Sequence, residues 1–197
     1  MKTCFFFGTF NPPHLGHLHI AEKARELCGC YEIIFVPAYK PPHKLGIHLG
    51  KKRLKMVEMT AKKLGNARVS DIEFSRETPS YTYVTICEFY KKYKFDELPG
   101  FIIGDDAFCK IESWYKADEL KKLVKFILFP RNDGNANKEE ILADLRKKGY
   151  NFERMKTETY DVSSTEIRAE IAQKRSLAGL VLPETEEFIN ENGLYEN

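Results

Sequence analysis

The sequence has no hydrophobic run that approaches the ~20 apolar residues needed to cross a bilayer. Its first residues, MKTCFFFG, contain an apolar segment that is too short for the core of a signal peptide. These two absences argue against membrane insertion and against secretion. We therefore expect a cytoplasmic protein with no membrane partner.

Net charge is also small. The 31 basic and 29 acidic residues leave a formal charge of +2, so there is no electrostatic case for a nucleic acid as the main partner. The local basic clusters are typical of solvated helix faces. We expect no nucleic-acid partner.

Cysteine is scarce, and no group of residues has the spacing of a metal site. Cys28 and Cys30 have no second pair with which to complete a zinc site, and no carboxylate cluster argues for a metal held by the protein. We therefore predict no protein metal centre. The five cysteines are odd in number and spread over apolar segments, so we expect reduced thiols, mostly buried: Cys4, Cys28, Cys30, Cys87 and Cys109.

Strand patterns alternate with helical patterns along the chain. Apolar runs that are typical of buried strands occur at 5–7, 31–36, 68–74, 101–103, 124–129 and 152–155. Helical patterns lie between them at 51–64, from about Thr82, at 138–148, from Ser163 or Ser164, and from Pro183. This alternation predicts an α/β fold, a Rossmann-like doubly wound parallel sheet with helices on both faces. With 197 residues we expect one domain, 1–197, that ends in a small helical part at about 162–197.

The most informative stretch is 5–21, FFFGTFNPPHLGHLHIA. It predicts a strand that ends at Gly8, a tight loop, and a helix that starts near Gly16 or His17. A helix N-terminus has unpaired N–H groups and a positive dipole end, which suits phosphate, and the two glycines let an anion approach the backbone. His14 and His17 would add donors, although a histidine on the apolar face of a helix can also be an ordinary core residue. The H-x-G-H spacing in a strand-to-helix loop favours the phosphate site.

A second loop, PAYKPPHK at 37–44, follows the second predicted strand. Ligands of open α/β sheets bind at the carboxyl ends of the strands, so Lys40, His43 and Lys44 are expected to face the same site. The alternative is an exposed basic loop.

Two motifs carry a resemblance to a known superfamily. GTFNPPHLGH resembles the nucleotidyltransferase signature G-[TS]-F-[DN]-P-x-H-x-G-H, and VSSTEIR at 162–168 resembles the second motif, I-S-S-T-x-[IV]-R. The resemblance implies that His14, His17 and Arg168 act in catalysis. It implies an ATP site formed by Gly8, Thr9, Phe10, His14, His17, Ser163, Ser164, Thr165 and Arg168. It also implies Mg²⁺ that is bound through the ATP phosphates.

The middle of the chain resembles one member family. PPHK, PSYTYVT and GDDAFCKIESWY, together with LPETEEFINENGLY near the end, are similar to the bacterial nicotinate-nucleotide adenylyltransferase patterns. The related pantetheine-phosphate adenylyltransferases lack the middle set. The chain departs from the family at Phe7, where a glycine is frequent, and at Asn11, where aspartate is frequent.

That resemblance implies a specific reaction and an acceptor site. ATP and nicotinate mononucleotide would give deamido-NAD and pyrophosphate, with the pyridine ring against Trp114 and its carboxylate near Thr85 and Asp106. Lys40, His43 and Lys44 would complete the mononucleotide site. Alternatively, Trp114 is a core aromatic residue and Thr85 an ordinary helix residue.

The residues suggest direct attack by the acceptor phosphate on the α-phosphorus of ATP. A phosphate monoester has a second pKa of about 6, so it needs no strong base, and the sequence shows no convincing pair of nucleophile and base. Two alternatives remain open: a sister adenylyltransferase for nicotinamide mononucleotide or phosphopantetheine, and a non-catalytic nucleotide-binding module. The presence of both the H-x-G-H and the S-S-T-x-x-R motifs disfavours the second of these.

Overall fold

The computed structural model describes residues 2–42, 49–132 and 134–196. Within them, six parallel strands form one sheet in the order β3-β2-β1-β4-β5-β6. The strands are β1 Thr3–Gly8, β2 Glu32–Pro37, β3 Ala67–Val69, β4 Gly100–Gly104, β5 Lys125–Phe129 and β6 Phe152–Arg154. This arrangement confirms the predicted doubly wound, Rossmann-like sheet.

The helices in the described residues also follow the predicted pattern. They are α1 Leu15–Cys28, α2 Gly50–Leu64, α3 Thr82–Lys92, α4 Asp105–Phe108, α5 Ala117–Leu120, α6 Lys138–Lys147, α7 Ser164–Ala172 and α8 Pro183–Glu191. Short 3₁₀ turns occur at Ile72–Ser75 and Ile111–Ser113. Helix α1 starts slightly earlier than predicted, because His14 already takes the extended N-cap conformation. None of these helices is both long and apolar enough to span a bilayer.

Helices cover both faces of the sheet because successive side chains of each buried strand point to opposite faces. Phe5 faces α3, α4 and α6, whereas Phe6 faces α1 and α2. A third group of buried residues, which we call the C-terminal cluster, joins α7 and α8 to α2. It contains Met56, Val162, Ile167, Ile171, Leu177, Val181, Ile189 and Leu194.

The prediction of a strand at 68–74 was wrong beyond Val69. The chain turns into the 3₁₀ segment because the Glu73 carboxylate is buried and bonds two groups outside any sheet ladder. It accepts from the Thr85 hydroxyl at 2.6 Å and from the Tyr39 N–H at 3.3 Å.

The prediction of five reduced, mostly buried thiols was also wrong. Cys4 and Cys30 form a disulfide, with their Cα atoms 5.8 Å apart. The two residues meet because β1 and β2 are parallel neighbours, with Cys4 level with Ile33 and Cys30 just before β2. The remaining three cysteines, Cys28, Cys87 and Cys109, are free and only partly buried.

The strand order reverses direction at β1. The chain runs outward from β1 through β2 to β3, then returns to place β4 on the other side of β1. The loops that follow β1 and β4 therefore diverge and leave a crevice at the carboxyl ends of the strands, where ligands of open α/β sheets bind. The loop that carries the H-x-G-H motif lies at this crevice, and the start of α7, which carries the S-S-T-x-x-R motif, contacts that loop.

Candidate active site

The loop after β1 is shaped by Phe10 and Gly8. Phe10 has a positive φ of 48°, and its buried ring folds back over Gly8. A Cβ at Gly8 would lie 2.7 Å from that ring, so only glycine fits there. Phe10 therefore supports the loop from below, and its backbone is the part that can contact a ligand.

The two histidines lie together at the start of α1. Their ring centroids are 3.7 Å apart, and the His14 backbone N–H donates to Nδ1 of His17 at 3.1 Å. Because Nδ1 accepts, the neutral His17 ring carries its proton on Nε2. His17 therefore places a ring N–H group at the N-terminus of α1.

His14 is buried, with 5% of its surface exposed. Burial, followed by the charge of Arg131, lowers the pKa of His14 to about 3, so the ring is neutral near pH 7. Its Nδ1 is buried beside the His17 backbone N–H, and because that N–H donates to the His14 carbonyl at 2.9 Å, Nδ1 makes no hydrogen bond of good geometry in the described part of the chain. A buried polar atom of this kind at a helix start is a candidate for contact with a ligand.

Arg131 is a candidate that sequence reasoning missed. It follows β5, lies next to Gly104 at the end of β4, and is close enough to His14 to shift its pKa. Its backbone N–H donates to Asp105 Oδ1 at 3.0 Å. Its position directly after a predicted strand was the one sequence signal, because side chains there face the crevice of a parallel sheet.

Asp105 and Asp106 have different environments. Asp105 is completely buried and accepts from Lys138 Nζ at 2.8 Å and from Arg154 Nη2 at 3.1 Å, so it fixes the loops after β4 and β5. Asp106 is partly exposed in the first turn of α4, and its carboxylate folds over Gly104. Asp106 is therefore the residue of this pair that lies at the crevice surface.

The second motif meets the first motif at the loop after β1. Ser164 Oγ donates to the Pro12 carbonyl at 2.8 Å, and Arg168 Nη1 donates to the Asn11 carbonyl at 2.8 Å. Arg168 Nη2 also donates to Thr165 Oγ1 at 3.2 Å. Residues more than 150 positions apart are therefore brought together, as the two motifs required.

Ser163 has a local role at the start of α7. The Glu166 N–H donates to Ser163 Oγ at 3.2 Å, and the Ser163 N–H donates to Glu166 Oε2 at 2.9 Å. This reciprocal pair is a capping box. It fixes the helix start and leaves the S-S-T backbone at the crevice.

The start of α3 lies beside Trp114, the residue expected to stack on the pyridine ring. The rings of Tyr81 and Tyr115 are 4.7 Å apart, which brings the two segments together. Trp114 is partly buried and its ring lies 6.1 Å from Phe101, which in turn lies 5.0 Å from Phe7. Phe7 thus packs into the aromatic layer beneath Trp114.

Thr85 lies deeper than the sequence implied. It is completely buried, and its hydroxyl donates to Glu73 and accepts from Arg76 Nη2 at 2.7 Å. The Thr85 N–H donates to the Tyr81 carbonyl at 3.1 Å, so the groups of this turn that can reach a ligand are the backbone N–H groups of 82–84, which lack acceptors within the helix.

Lys40 lies beside the segment that leads into α3. Its backbone N–H donates to Ser80 Oγ at 2.9 Å, and Nζ donates to the Glu77 carbonyl at 3.3 Å. The other two residues of the predicted basic loop, His43 and Lys44, lie outside the described residues. Among the described residues there is no group of three or more His, Cys, Asp or Glu side chains that could hold a metal ion.

The chain is similar to a known family over most of its length. Residues 5–170 match the cytidylyltransferase-like family. The chain is 36% identical to a protein of Caldicellulosiruptor bescii named as a probable nicotinate-nucleotide adenylyltransferase, over 100% of both chains. It is 35% identical to a protein of Bacillus pumilus with the same name, over 100% of this chain and 99% of the relative.

A solved structure shares the fold. It is a Plasmodium falciparum nicotinic acid mononucleotide adenylyltransferase complexed with NaAD, with a TM-score of 0.80 and 23% identity over 100% of this chain and 98% of that one. The two sequence relatives match over nearly the full length of both chains. The chain therefore belongs to the nicotinate-nucleotide adenylyltransferase family, within the cytidylyltransferase-like proteins.

Proposed function

We propose that this protein joins ATP and nicotinate mononucleotide to give deamido-NAD and pyrophosphate, a step of NAD biosynthesis. The observation that carries the proposal is the full-length similarity to nicotinate-nucleotide adenylyltransferases, which spans both motifs and the acceptor-side patterns between them. The contacts of the described residues support a division of labour within the crevice.

The triphosphate is proposed to lie at the N-terminus of α1. The helix dipole and the first-turn N–H groups favour an anion there. The rings of His14 and His17 add polar groups at this helix start, and Arg131 adds a positive charge. The backbone of Gly8, Thr9 and Phe10 would complete this side of the site.

Residues of the second motif are proposed to close the ATP site from the other side: Ser163, Ser164, Thr165 and Arg168. Arg168 already bonds the Asn11 carbonyl with Nη1, so its contribution includes holding the loop as well as contacting phosphate. Only part of its guanidinium fork is then left for a ligand.

The acceptor is proposed to lie between α3 and Trp114. The indole would stack on the pyridine ring, and the first-turn N–H groups of α3, with those near Asp106, would receive the ring carboxylate. Lys40, His43 and Lys44 would contribute positive charge toward the mononucleotide phosphate. Thr85 would act through the backbone of its turn, because its hydroxyl is engaged by Glu73.

The proposed chemistry is a single displacement. An oxygen of the mononucleotide phosphate attacks the α-phosphorus, and the bond from that phosphorus to the bridging oxygen of pyrophosphate breaks. The acceptor is already ionised above about pH 6, so the protein needs to position the reactants and stabilise charge. Mg²⁺ is proposed to enter as part of MgATP, held by phosphate oxygens and water.

Pyrophosphate release from ATP with different acceptors tests the function. We expect fast release with nicotinate mononucleotide, much slower release with nicotinamide mononucleotide, and none with phosphopantetheine. The nucleoside nicotinate riboside, which lacks the attacking phosphate, is the matched control and should give none. Preferential release with phosphopantetheine would identify a sister enzyme, and no release with any acceptor would indicate a binding module.

A further inference from the structure

The loop between β1 and α1 is held by side chains from distant parts of the chain. Two contacts come from α7, as described above. Two more come from residues outside the H-x-G-H and S-S-T-x-x-R motifs. Arg53 Nη1 donates to the Thr9 carbonyl at 2.7 Å, and Tyr195 Oη donates to Asn11 Oδ1 at 2.9 Å.

Tyr195 is well placed to hold the loop because its own position is fixed. It has a positive φ of 67° and packs against the C-terminal cluster, next to the buried Leu194. The same cluster contains Met56 of α2 and Ile167 of α7. Helices α2 and α7 and the segment that contains Tyr195, which all contact the loop after β1, therefore pack on the same C-terminal cluster.

The electrostatics of this region keep the contact in place. Burial raises the pKa of Tyr195, against the opposing effect of Arg53 and Arg168, so the phenol stays protonated and donates. Arg53 is completely buried, and its Nε and Nη2 have no hydrogen-bond partner within the described ranges. Such an arrangement costs folding free energy, which is typical of residues that serve a functional site.

The contacts also decide which groups the loop offers to a ligand. The carbonyl oxygens of Thr9, Asn11 and Pro12 all accept hydrogen bonds from the side of α2 and α7. Carbonyl oxygens would repel a triphosphate, and here they are engaged elsewhere. Because a trans peptide places its N–H opposite its C=O, the grip on the Thr9 carbonyl turns the Phe10 N–H away from Arg53.

We propose that Tyr195 is a positioning residue for ATP, which fixes the Asn11 side chain so that the loop keeps the conformation that receives the triphosphate. Tyr195 acts through Asn11 and does not itself contact the nucleotide. The proposal rests on the proposed function in one respect, which is that the nucleotide is ATP. It does not depend on which acceptor the protein uses.

The test is Tyr195→Phe, which keeps the ring and removes one hydroxyl. We expect the Kd for ATP, measured by calorimetry without acceptor, to rise about 10-fold, the scale of one lost hydrogen bond with an acceptor left unpaired. The KM for ATP should rise in parallel, while kcat and the KM for nicotinate mononucleotide change by less than about 2-fold, as for substitutions without a direct role. An unchanged Kd for ATP would overturn the proposal.

Tyr90→Phe is the matched control. Tyr90 Oη also makes a single hydrogen bond to the chain, to the Leu123 carbonyl at 2.8 Å, just before the start of β5. Loss of this hydrogen bond should leave the Kd for ATP unchanged. If both variants weaken ATP binding equally and lower the melting temperature equally, Tyr195 has only a structural role and the proposal fails.

Asn11 supplies the rescue. Asn11→Asp keeps an acceptor for the phenol and should keep the affinity for ATP, whereas Asn11→Ala should lose about 10-fold. In the Asn11→Ala background, Tyr195→Phe should have no further effect, and additive losses would contradict the coupling. A wild-type protein that binds ATP without transferring it would refute the proposed function while the loop proposal stands, and one that does not bind ATP would refute both.

Discussion

Replacement of His17 by alanine is expected to lower kcat by at least about 100-fold, the scale of losing one transition-state donor. The His17 Nδ1 accepts from the His14 backbone N–H, so the ring is held in one orientation at the start of α1. Charge builds up on the phosphate oxygens during transfer, and a fixed N–H donor there stabilises the transition state more than the ground state. Single-turnover kinetics with saturating ATP would measure the loss.

Folding should survive this change. The His17 ring packs 4.8 Å from Phe10 and 5.9 Å from Phe6, so we expect a modest fall in the melting temperature rather than unfolding. His19→Ala is the matched control, because His19 lies on the same helix and its ring contacts Tyr160 instead. Near-wild-type turnover of His17→Ala, with His19→Ala also active, would refute the phosphate role of His17.

The second large effect that we expect is a preference of the protein for the mononucleotide with a ring carboxylate over the mononucleotide with a ring amide. We expect kcat/KM for nicotinate mononucleotide to exceed that for nicotinamide mononucleotide by at least about 100-fold, because two mismatched buried donors cost ~1–3 kcal/mol each. The groups proposed to meet the ring substituent are backbone N–H donors at the start of α3. The Thr85 hydroxyl, which could have accepted from an amide, is already shared by Glu73 and Arg76.

Trp114→Ala separates stacking from this discrimination. An indole stacks on either pyridine ring, so the variant should lower kcat/KM for both mononucleotides by similar factors and leave their ratio unchanged. Parallel initial-rate measurements with the two acceptors would show this. Equal use of both acceptors by the wild-type protein would contradict the carboxylate site and leave adenylyl transfer itself untouched.

The sequence was sufficient for the sheet and for the meeting of the two motifs. Apolar runs and helical spacing are local signals, and the rules for parallel βαβ connections then restrict the topology. The H-x-G-H loop and α7 could be placed at one crevice because both motifs belong to the same known site. The N-cap of α7 is Ser163, one of the two residues predicted for the start of this helix.

What the sequence did not reveal was the pairing of buried polar groups. Glu73 lies in a segment whose apolar pattern indicated a strand, and nothing local showed that its carboxylate would bond Thr85, 12 residues later. Asp105 likewise finds Lys138 33 positions away. Such partners are chosen by packing in three dimensions, so periodicity carries no information about them.

The loop contacts show the same limit. Arg168 was expected to grip phosphate, and the structure shows it bonded to the Asn11 carbonyl. Tyr195 reaches the same residue from 184 positions away, and its place at the end of LPETEEFINENGLY gave no sign of this contact. The positions of the motifs were predictable, whereas the hydrogen bonds through which their residues hold the loop were not.

The central claim is direct transfer of the adenylyl group from ATP to the mononucleotide, with no covalent intermediate on the protein. The most direct measurement uses ATP that carries sulfur at one defined position on the α-phosphorus, followed by determination of the configuration at phosphorus in the dinucleotide product. A single in-line displacement inverts that configuration, and inversion is the result we predict. Retention of configuration, accompanied by a burst of pyrophosphate when no acceptor is present, would require two displacements and would contradict the account.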